Sequence, residues 1–415
     1  MDKTKSFNIT KQMVYRAYKR IKANKGTAGV DHVSLEQFEA NLKDNLYKLW
    51  NRLSSGSYFP PPVKAVEIPK KKGGTRVLGI PTVADRIAQM MVKTSFEGKV
   101  EKHFLPDSYG YRPGKSAHDA LEVTRRRCWR MDWVLEFDIK GLFDNINHPL
   151  LLKAVQKHTQ SPWELLYIKR WLVVPLQNTQ GQTIARKSGV PQGGVISPLL
   201  ANMFLHYAFD RWMKTYFPNN PWCRYADDGI IHCQTKKQAK LIQESLQQRL
   251  RECFLEIHPE KTKIVYCKDS NRKQKEENIQ FTFLGYTFKP RKAKGKTNAV
   301  FTSFLPAISK DAKKNIYQEI RNWRLLWMTN QSISGLAQKY NPIIRGWLHY
   351  YGKYGKKELA RVLEHLNLHL IYWVRRKHRR YKWKPREALR YLRRIANHSS
   401  HLFEHWKVGV MPKTG

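Results

Sequence analysis

Arg224-Tyr225-Ala226-Asp227-Asp228-Gly229-Ile230-Ile231 sets two adjacent aspartates in an apolar frame, and the reading of this stretch decides the fold. Trp222 to Cys233 reads as two short strands around Asp227-Asp228-Gly229, a hairpin with acids at its tip. Neighbouring carboxylates partly desolvated by apolar strands repel and raise each other's pKa unless a cation lies between them. Hard oxygen donors of this kind suit Mg2+, which keeps several waters and is usually shared with substrate phosphates. A third acid, Asp138, ends another strand-like run, Trp133-Val134-Leu135-Glu136-Phe137-Asp138-Ile139. With the two strands side by side, three carboxylates converge where two metal ions roughly 3.5 to 4 Å apart activate an attacking hydroxyl and stabilise a leaving pyrophosphate. Asp-Asp-Gly alone is also an ordinary hairpin turn; Tyr-Ala-Asp-Asp between apolar strands is far more specific.

The partner is written in the charge. Against 33 Asp and Glu stand 76 Lys and Arg, a net +43 whose self-repulsion costs stability unless a polyanion neutralises it. Nucleic acid is that polyanion, although charge alone fits any basic binding protein, a ribosomal subunit included. No stretch reaches the roughly 18 apolar residues of a spanning helix, and the start, MDKTKSFNITKQ, is polar, so no membrane partner is expected. Hydrophobic residues at 41% and charged residues at 26% describe a folding chain, and 415 residues imply two or three domains. Cysteines 128, 223, 233, 253 and 267 form no C-x-x-C pair, so they read as reduced residues of a cytoplasmic protein rather than a zinc ribbon or disulfide frame.

Outward from the hairpin, helices and strands interleave, which predicts an α+β fold. Thr10 caps one helix, and Ser34 with Gln37 forms a capping-box signature for another. Val63–Ile68 and Arg76–Ile80 read as strands joined across a basic turn, Lys70-Lys71-Lys72-Gly73-Gly74. Helical spacing covers Ala84 to about Phe104, Ala117 to about Arg130, Ser197 to about Tyr216 and Lys236 to Cys253. Strands are expected around Ile264 and Phe281–Phe288. The basic stretch Lys289–Lys296 reads as a linker, and from about Ile308 the chain turns helical, with Trp and Tyr interleaved among Lys and Arg.

These stretches resemble reverse transcriptases of group II introns, in the family's order. They are Gly26-Thr27-Ala28-Gly29-Val30-Asp31, Ile68-Pro69-Lys70 through Gly74-Thr75-Arg76-Val77-Leu78-Gly79-Ile80-Pro81, Asp85-Arg86, and Ser108-Tyr109-Gly110-Tyr111-Arg112-Pro113-Gly114. The series continues with Asp138-Ile139-Lys140-Gly141-Leu142-Phe143-Asp144, Gly189-Val190-Pro191-Gln192-Gly193-Gly194-Val195-Ile196-Ser197-Pro198, the aspartate hairpin and Phe283-Leu284-Gly285. The resemblance implies a right-hand polymerase, with fingers and palm on antiparallel sheet, followed by an all-α thumb or maturase domain. Its implied boundaries are 1–55 for an N-terminal extension, 56–290 for fingers and palm, 291–382 for the thumb (domain X), and 383–415 for a short basic tail with room for a DNA-binding segment but no nuclease.

The resemblance also carries roles. Asp138, Asp227 and Asp228 match the catalytic metal ligands for two Mg2+ ions, with Ile139 counted in the metal set. Lys70 and Arg76 match finger residues holding the incoming dNTP triphosphate, where a cation offsets phosphate charge; a solvated basic hairpin is the plain alternative. Phe143 matches the position that excludes a ribose 2′-hydroxyl, and otherwise reads as a core Phe. Gln192 belongs to the loop approaching the nucleotide, and Gly193-Gly194 permits close backbone approach to primer and template. Tyr225 and Arg112 match primer-side and template-side contacts. Asp144 and His148 are taken as structural.

Asn341-Pro342-Ile343-Ile344-Arg345-Gly346-Trp347-Leu348-His349-Tyr350-Tyr351 resembles the family's maturase signature. Aromatics among cations suit structured RNA, so Arg345, Trp347, Arg375, Arg376, Arg379 and Arg380 are expected to bind the group II intron RNA. An aromatic helical core explains part of the same pattern. Further partners implied are an RNA template with a DNA primer, dNTPs and a target DNA; the oligomeric state stays open. Two other readings remain: a non-polymerising splicing factor, and a related reverse transcriptase recruited to phage defence or sequence diversification.

Overall fold

Ser34 accepts from the Gln37 N–H while the Gln37 side chain accepts from the Ser34 N–H, so the capping box opens the helix Leu35–Ala40 as its spacing predicts. The computed structural model that shows this describes residues 6–24, 26–69, 74–295 and 298–413. Its contacts divide the chain into two units. One holds the described residues up to Thr124 together with Trp133–Ile264; the other holds Arg125–Asp132 and Val265 onward.

The first unit carries strands β1 (Val63–Pro69), β2 (Thr75–Ile80), β3 (Trp133–Asp138), β4 (Leu176–Gln177), β5 (Thr183–Ile184), β6 (Trp222–Tyr225) and β7 (Asp228–Cys233). A further strand, β8 (Lys263–Tyr266), leads the chain out of it. One sheet runs in the order β2-β1-β4-β5, with β1 and β2 antiparallel from Lys64–Ile80 to Pro69–Thr75. The other runs β6-β7-β3-β8. Its middle is made by apolar residues: Val134, Leu135, Phe137, Ile230 and Ile231 are all buried, each such side chain contributing about 1.5 to 3 kcal/mol by leaving water. Helices Val83–Val100, Ala117–Cys128 and Lys236–Glu252 fall where the apolar spacing puts them. The expected single helix from Ser197 is interrupted: α-helix Ser197–Leu205 passes through a π-turn, His206–Asp210, before resuming as Arg211–Tyr216.

In the second unit the expected linker at 289–296 is corrected. Strands β9 (Phe281–Phe283), β10 (Tyr286–Lys294) and β11 (Val300–Ile308) form an antiparallel sheet, with β10 paired from Tyr286–Ile308 to Lys294–Val300. Leu284 and Gly285, both at positive φ, make the two-residue turn between β9 and β10. Lys289–Lys294 therefore lies on a strand in which Lys292 and Lys294 are exposed while Arg291 turns in to pair with Glu358, and composition alone hides such a strand. The tail beyond residue 382 is likewise structured. Helix Pro385–His398 follows the helices Lys310–Asn322, Ile333–Tyr351 and Lys356–Lys377, and Ala388, Leu392, Phe403 and Trp406 join their core.

Asn367 anchors that last segment. Its amide donates to the Val410 carbonyl at 3.1 Å, and its Oδ1 meets His405 Nε2 and Trp406 Nε1, each at 2.9 Å. Burial depresses the His405 imidazole to about 3. Between its ordinary 6.5 and that value the unfolded chain binds a proton the folded chain refuses, so stability is full above 6.5 and falls as pH drops. In urea titrations followed by tryptophan fluorescence, we expect His405→Gln to weaken the loss between pH 7 and 5, by at most about 1.4 kcal/mol per pH unit. An unchanged pH dependence in the variant would remove His405 as its source. Among the described residues no helix is long and apolar enough to cross a membrane, and the five cysteines are buried and form no disulfide.

Candidate active site

The antiparallel pairing of β3 with β7 sets Asp138 opposite Asp228, and that of β6 with β7 sets Tyr225 opposite Asp228. The Ile139 N–H donates to the Asp227 carbonyl at 3.2 Å, tying the end of β3 to the hairpin tip. Two strands 90 residues apart in the chain thus bring the three acids together, as the sequence predicts. Burial raises the Asp227 carboxyl above its ordinary range, and Asp138 adds to the effect. Burial, then Asp227 and a hydrogen bond with Asp138, pushes Asp228 up to about 8. Desolvated like charges this close disfavour one another's ionised form.

Lys261 is a participant that sequence reading missed. Its Nζ lies 2.7 Å from Asp138 Oδ2. Burial pulls this ammonium down, but the bond to Asp138 outweighs it and holds the group above its usual value. The described residues present no preformed ligating cluster of three or more His, Cys, Asp or Glu. The donor set nevertheless fits a hard divalent ion: three carboxylates, desolvated and mutually repelling, with the Lys261 ammonium beside one of them. Ile139 is an apolar, buried residue, so only its main-chain carbonyl could serve an ion.

A second set of residues assembles beside Phe143. Arg76 on β2 donates through Nε to Gln192 Oε1, and Gln192 Nε2 donates to both Asp144 oxygens at 2.9 Å. The Gln192 carbonyl accepts from the Gly79 N–H at 2.7 Å. Gly193, at φ +117°, lies so close that a Cβ would stand 2.7 Å from the Gly79 oxygen, so only glycine lets the loop meet β2. Asp144 is therefore more than a fold residue: it orients the Gln192 amide. Lys70 lies outside the described residues.

Two expectations are corrected. Arg112 does not face a template. Its side chain is 6% exposed and spends its donors on Glu101 at 2.7 and 2.9 Å and on the carbonyls of Leu105 and Ser108 at 2.6 and 2.8 Å. A guanidinium so committed braces its own loop. Gly194 packs inward too, where a Cβ would meet Ser197 Oγ at 2.5 Å; it admits the start of the helix Ser197–Leu205 rather than a substrate. Tyr111, which the sequence reading left without a role, adopts φ +59° and sets its exposed ring 6.5 Å from that of Tyr225. His148 begins the helix His148–Gln156, as expected.

Phe143 is half-buried, held through its carbonyl to the Val190 N–H at 2.6 Å. Because Phe143 directly precedes Asp144, which holds Gln192, Phe143→Ala should open space for a 2′-hydroxyl and raise ribonucleotide over deoxynucleotide incorporation about 10-fold or more. Single-nucleotide extension with matched rNTP and dNTP reads this directly; unchanged sugar discrimination would return Phe143 to the core.

In the second unit, Trp347 stacks on Trp323 at 5.5 Å and 7°, so its expected RNA role competes with packing. Arg345 pairs with Glu404 at 2.7 Å, Arg375 donates to the Lys382 carbonyl at 3.0 and 3.2 Å, and Arg376 covers the Trp327 ring at 4.5 Å. Arg379 and Arg380 are exposed, Arg380 over Tyr381 at 4.6 Å.

Residues 68–288, more than half of the chain, match the family model described as reverse transcriptase (RNA-dependent DNA polymerase). Residues 313–392 match the group II intron, maturase-specific domain. Protein YkfC of Escherichia coli (strain K12) is 32% identical over 298 residues, covering 63% of this chain and 75% of YkfC. The group II intron-encoded protein LtrA of Lactococcus lactis subsp. cremoris is 35% identical over 204 residues, covering 46% of this chain and 32% of LtrA. Among solved structures, telomerase from Candida albicans, in complex with a TWJ fragment of telomeric RNA, matches 91% of this chain and 68% of its own, at a TM-score of 0.47 and 12% identity. Polymerases of this family use divalent metal ions, the chemistry for which the three carboxylates are suited. The chain belongs to the reverse transcriptase family, in its group II intron maturase branch, and is an RNA-directed DNA polymerase.

Proposed function

We propose that this polymerase works with two Mg2+ ions on Asp138, Asp227 and Asp228, and that it binds a group II intron RNA, assisting its splicing and its retrohoming into a target DNA. The pairing of Asp138 against Asp228, with Asp227 beside them, carries the first part. Bound there, the ions would lower the pKa of a primer 3′-hydroxyl and neutralise charge on the leaving pyrophosphate. The protein's own share is positional. Asp144 holds Gln192, Gln192 holds Arg76, and an arriving triphosphate offers Arg76 a stronger acceptor than an amide. The ring of Phe143 excludes a 2′-hydroxyl, and Lys261 balances the charge on Asp138.

The maturase match and the net +43 support the second part. Two assays test the reading. With Mg2+, poly(rA)/oligo(dT) should direct dTTP incorporation, and absence of synthesis sinks the polymerase part. Added protein should restore splicing of a group II intron at low Mg2+; equal affinity for intron and random RNA at physiological salt, or splicing unmoved by protein, sinks the maturase part.

A further inference from the structure

We propose that Arg224, locked to Asp210, is a positioning residue that sets the backbone of the aspartate hairpin for catalysis. Arg224 is 0% exposed, and all five of its guanidinium hydrogens are used. Nε and Nη2 grip Asp210 Oδ1 and Oδ2, each at 2.8 Å; Nη2 also reaches Ser108 Oγ at 2.8 Å. Nη1 donates to Asn202 Oδ1 at 3.0 Å and to the Ala226 carbonyl at 3.1 Å.

A buried ion pair is a poor way to gain stability, because desolvation consumes its attraction and apolar residues of similar volume often do as well. The last of those bonds supplies a different reason. Ala226 adopts φ +57°, a left-handed conformation that an L-residue rarely takes because its Cβ crowds the following carbonyl oxygen. It is the residue immediately before Asp227, so its torsion aims both carboxylates. The guanidinium holds the Ala226 carbonyl from one side. Gly110 closes the other, where a Cβ would stand 2.5 Å from the Ala226 N. Asp210 reaches Arg224 from the end of the π-turn His206–Asp210, a widened turn of the kind that recurs at functional sites. An uninterrupted α-helix would rotate Asp210 off the line of the guanidinium.

The inference rests on Asp227 and Asp228 being the reacting pair. Its test uses the full chain in single-turnover dTTP incorporation on poly(rA)/oligo(dT), with the parent protein run alongside. Arg224→Lys keeps the charge but cannot make the bonds to Asp210 and Ala226 together; Asp210→Asn keeps the shape but loses the charged acceptor. Each should lower kcat about 10- to 100-fold, as a misaimed reacting group does, and raise the Mg2+ needed for half-maximal rate, while KM for primer-template stays within about twofold. Adding Ala226→Gly to either variant should return kcat at least severalfold, because glycine holds a positive φ without help. A purely structural role gives no such rescue. Parent-like kcat in both single variants, or no recovery with glycine at 226 in either, overturns the proposal, as does failure of both single variants to fold by circular dichroism. An inactive parent overturns the assignment of the reacting pair and this inference with it; an active parent without rescue overturns this inference alone.

Discussion

Asp227→Asn should abolish deoxynucleotide incorporation, by roughly 10³-fold or more, while leaving affinity for RNA within about twofold. The magnitude follows from the chemistry: the charge of a carboxylate that would hold a catalytic metal ion is worth several kcal/mol in the transition state, and each 1.36 kcal/mol is about tenfold in rate. The selectivity follows from the structure. Asp227 lies where burial and Asp138 raise its pKa, so an uncharged amide of the same shape relieves repulsion there and leaves the fold intact. The melting temperature of the metal-free variant should accordingly not fall below that of the parent. Extension assays and RNA binding on one preparation check all three points. Parallel loss of both activities, with a lowered melting temperature, would make the aspartate a fold residue.

RNA affinity itself should collapse with salt. A chain at +43 that contacts six to ten phosphates is expected to lose about 10³- to 10⁵-fold in affinity between 50 and 200 mM salt, as displaced counterions cease to be released cheaply. The structure divides the candidate cations. Arg345, Arg379 and Arg380 are all exposed, but the Arg345 charge is already paired with Glu404 and Arg375 donates to the Lys382 carbonyl. Replacing Arg379 and Arg380 by alanine should therefore flatten the log–log salt plot by nearly two units, and replacing Arg345 and Arg375 by less. Anisotropy titrations across that range decide it; a slope of only one or two in the parent would deny an extended phosphate interface.

The site was legible to different depths. Hairpin, acids and capping box are local patterns, stated within a dozen residues, and the structure reproduces them at Trp222–Cys233 and Ser34–Gln37. Lys261 was not legible, because nothing near it in sequence marks one lysine among so many as the partner of Asp138, 123 residues away. Arg112 misled for the converse reason: a motif places the residue, but only packing shows that Glu101 and two carbonyls consume its donors. The run of cations on β10 concealed a strand.

Apolar periodicity, turn chemistry and charge are properties of neighbouring residues, and by themselves they determined the mixed fold, the three acids and the polyanionic partner. Which side chains those acids meet was decided by tertiary structure. Sheet register set Asp138 against Asp228, and a single π-turn carried Asp210 beneath Arg224. Pair interactions between elements apart in the chain, by 14 residues for Arg224 and Asp210 as by 90 for Asp138 and Asp228, depend on distance in space, to which spacing along the chain gives no access.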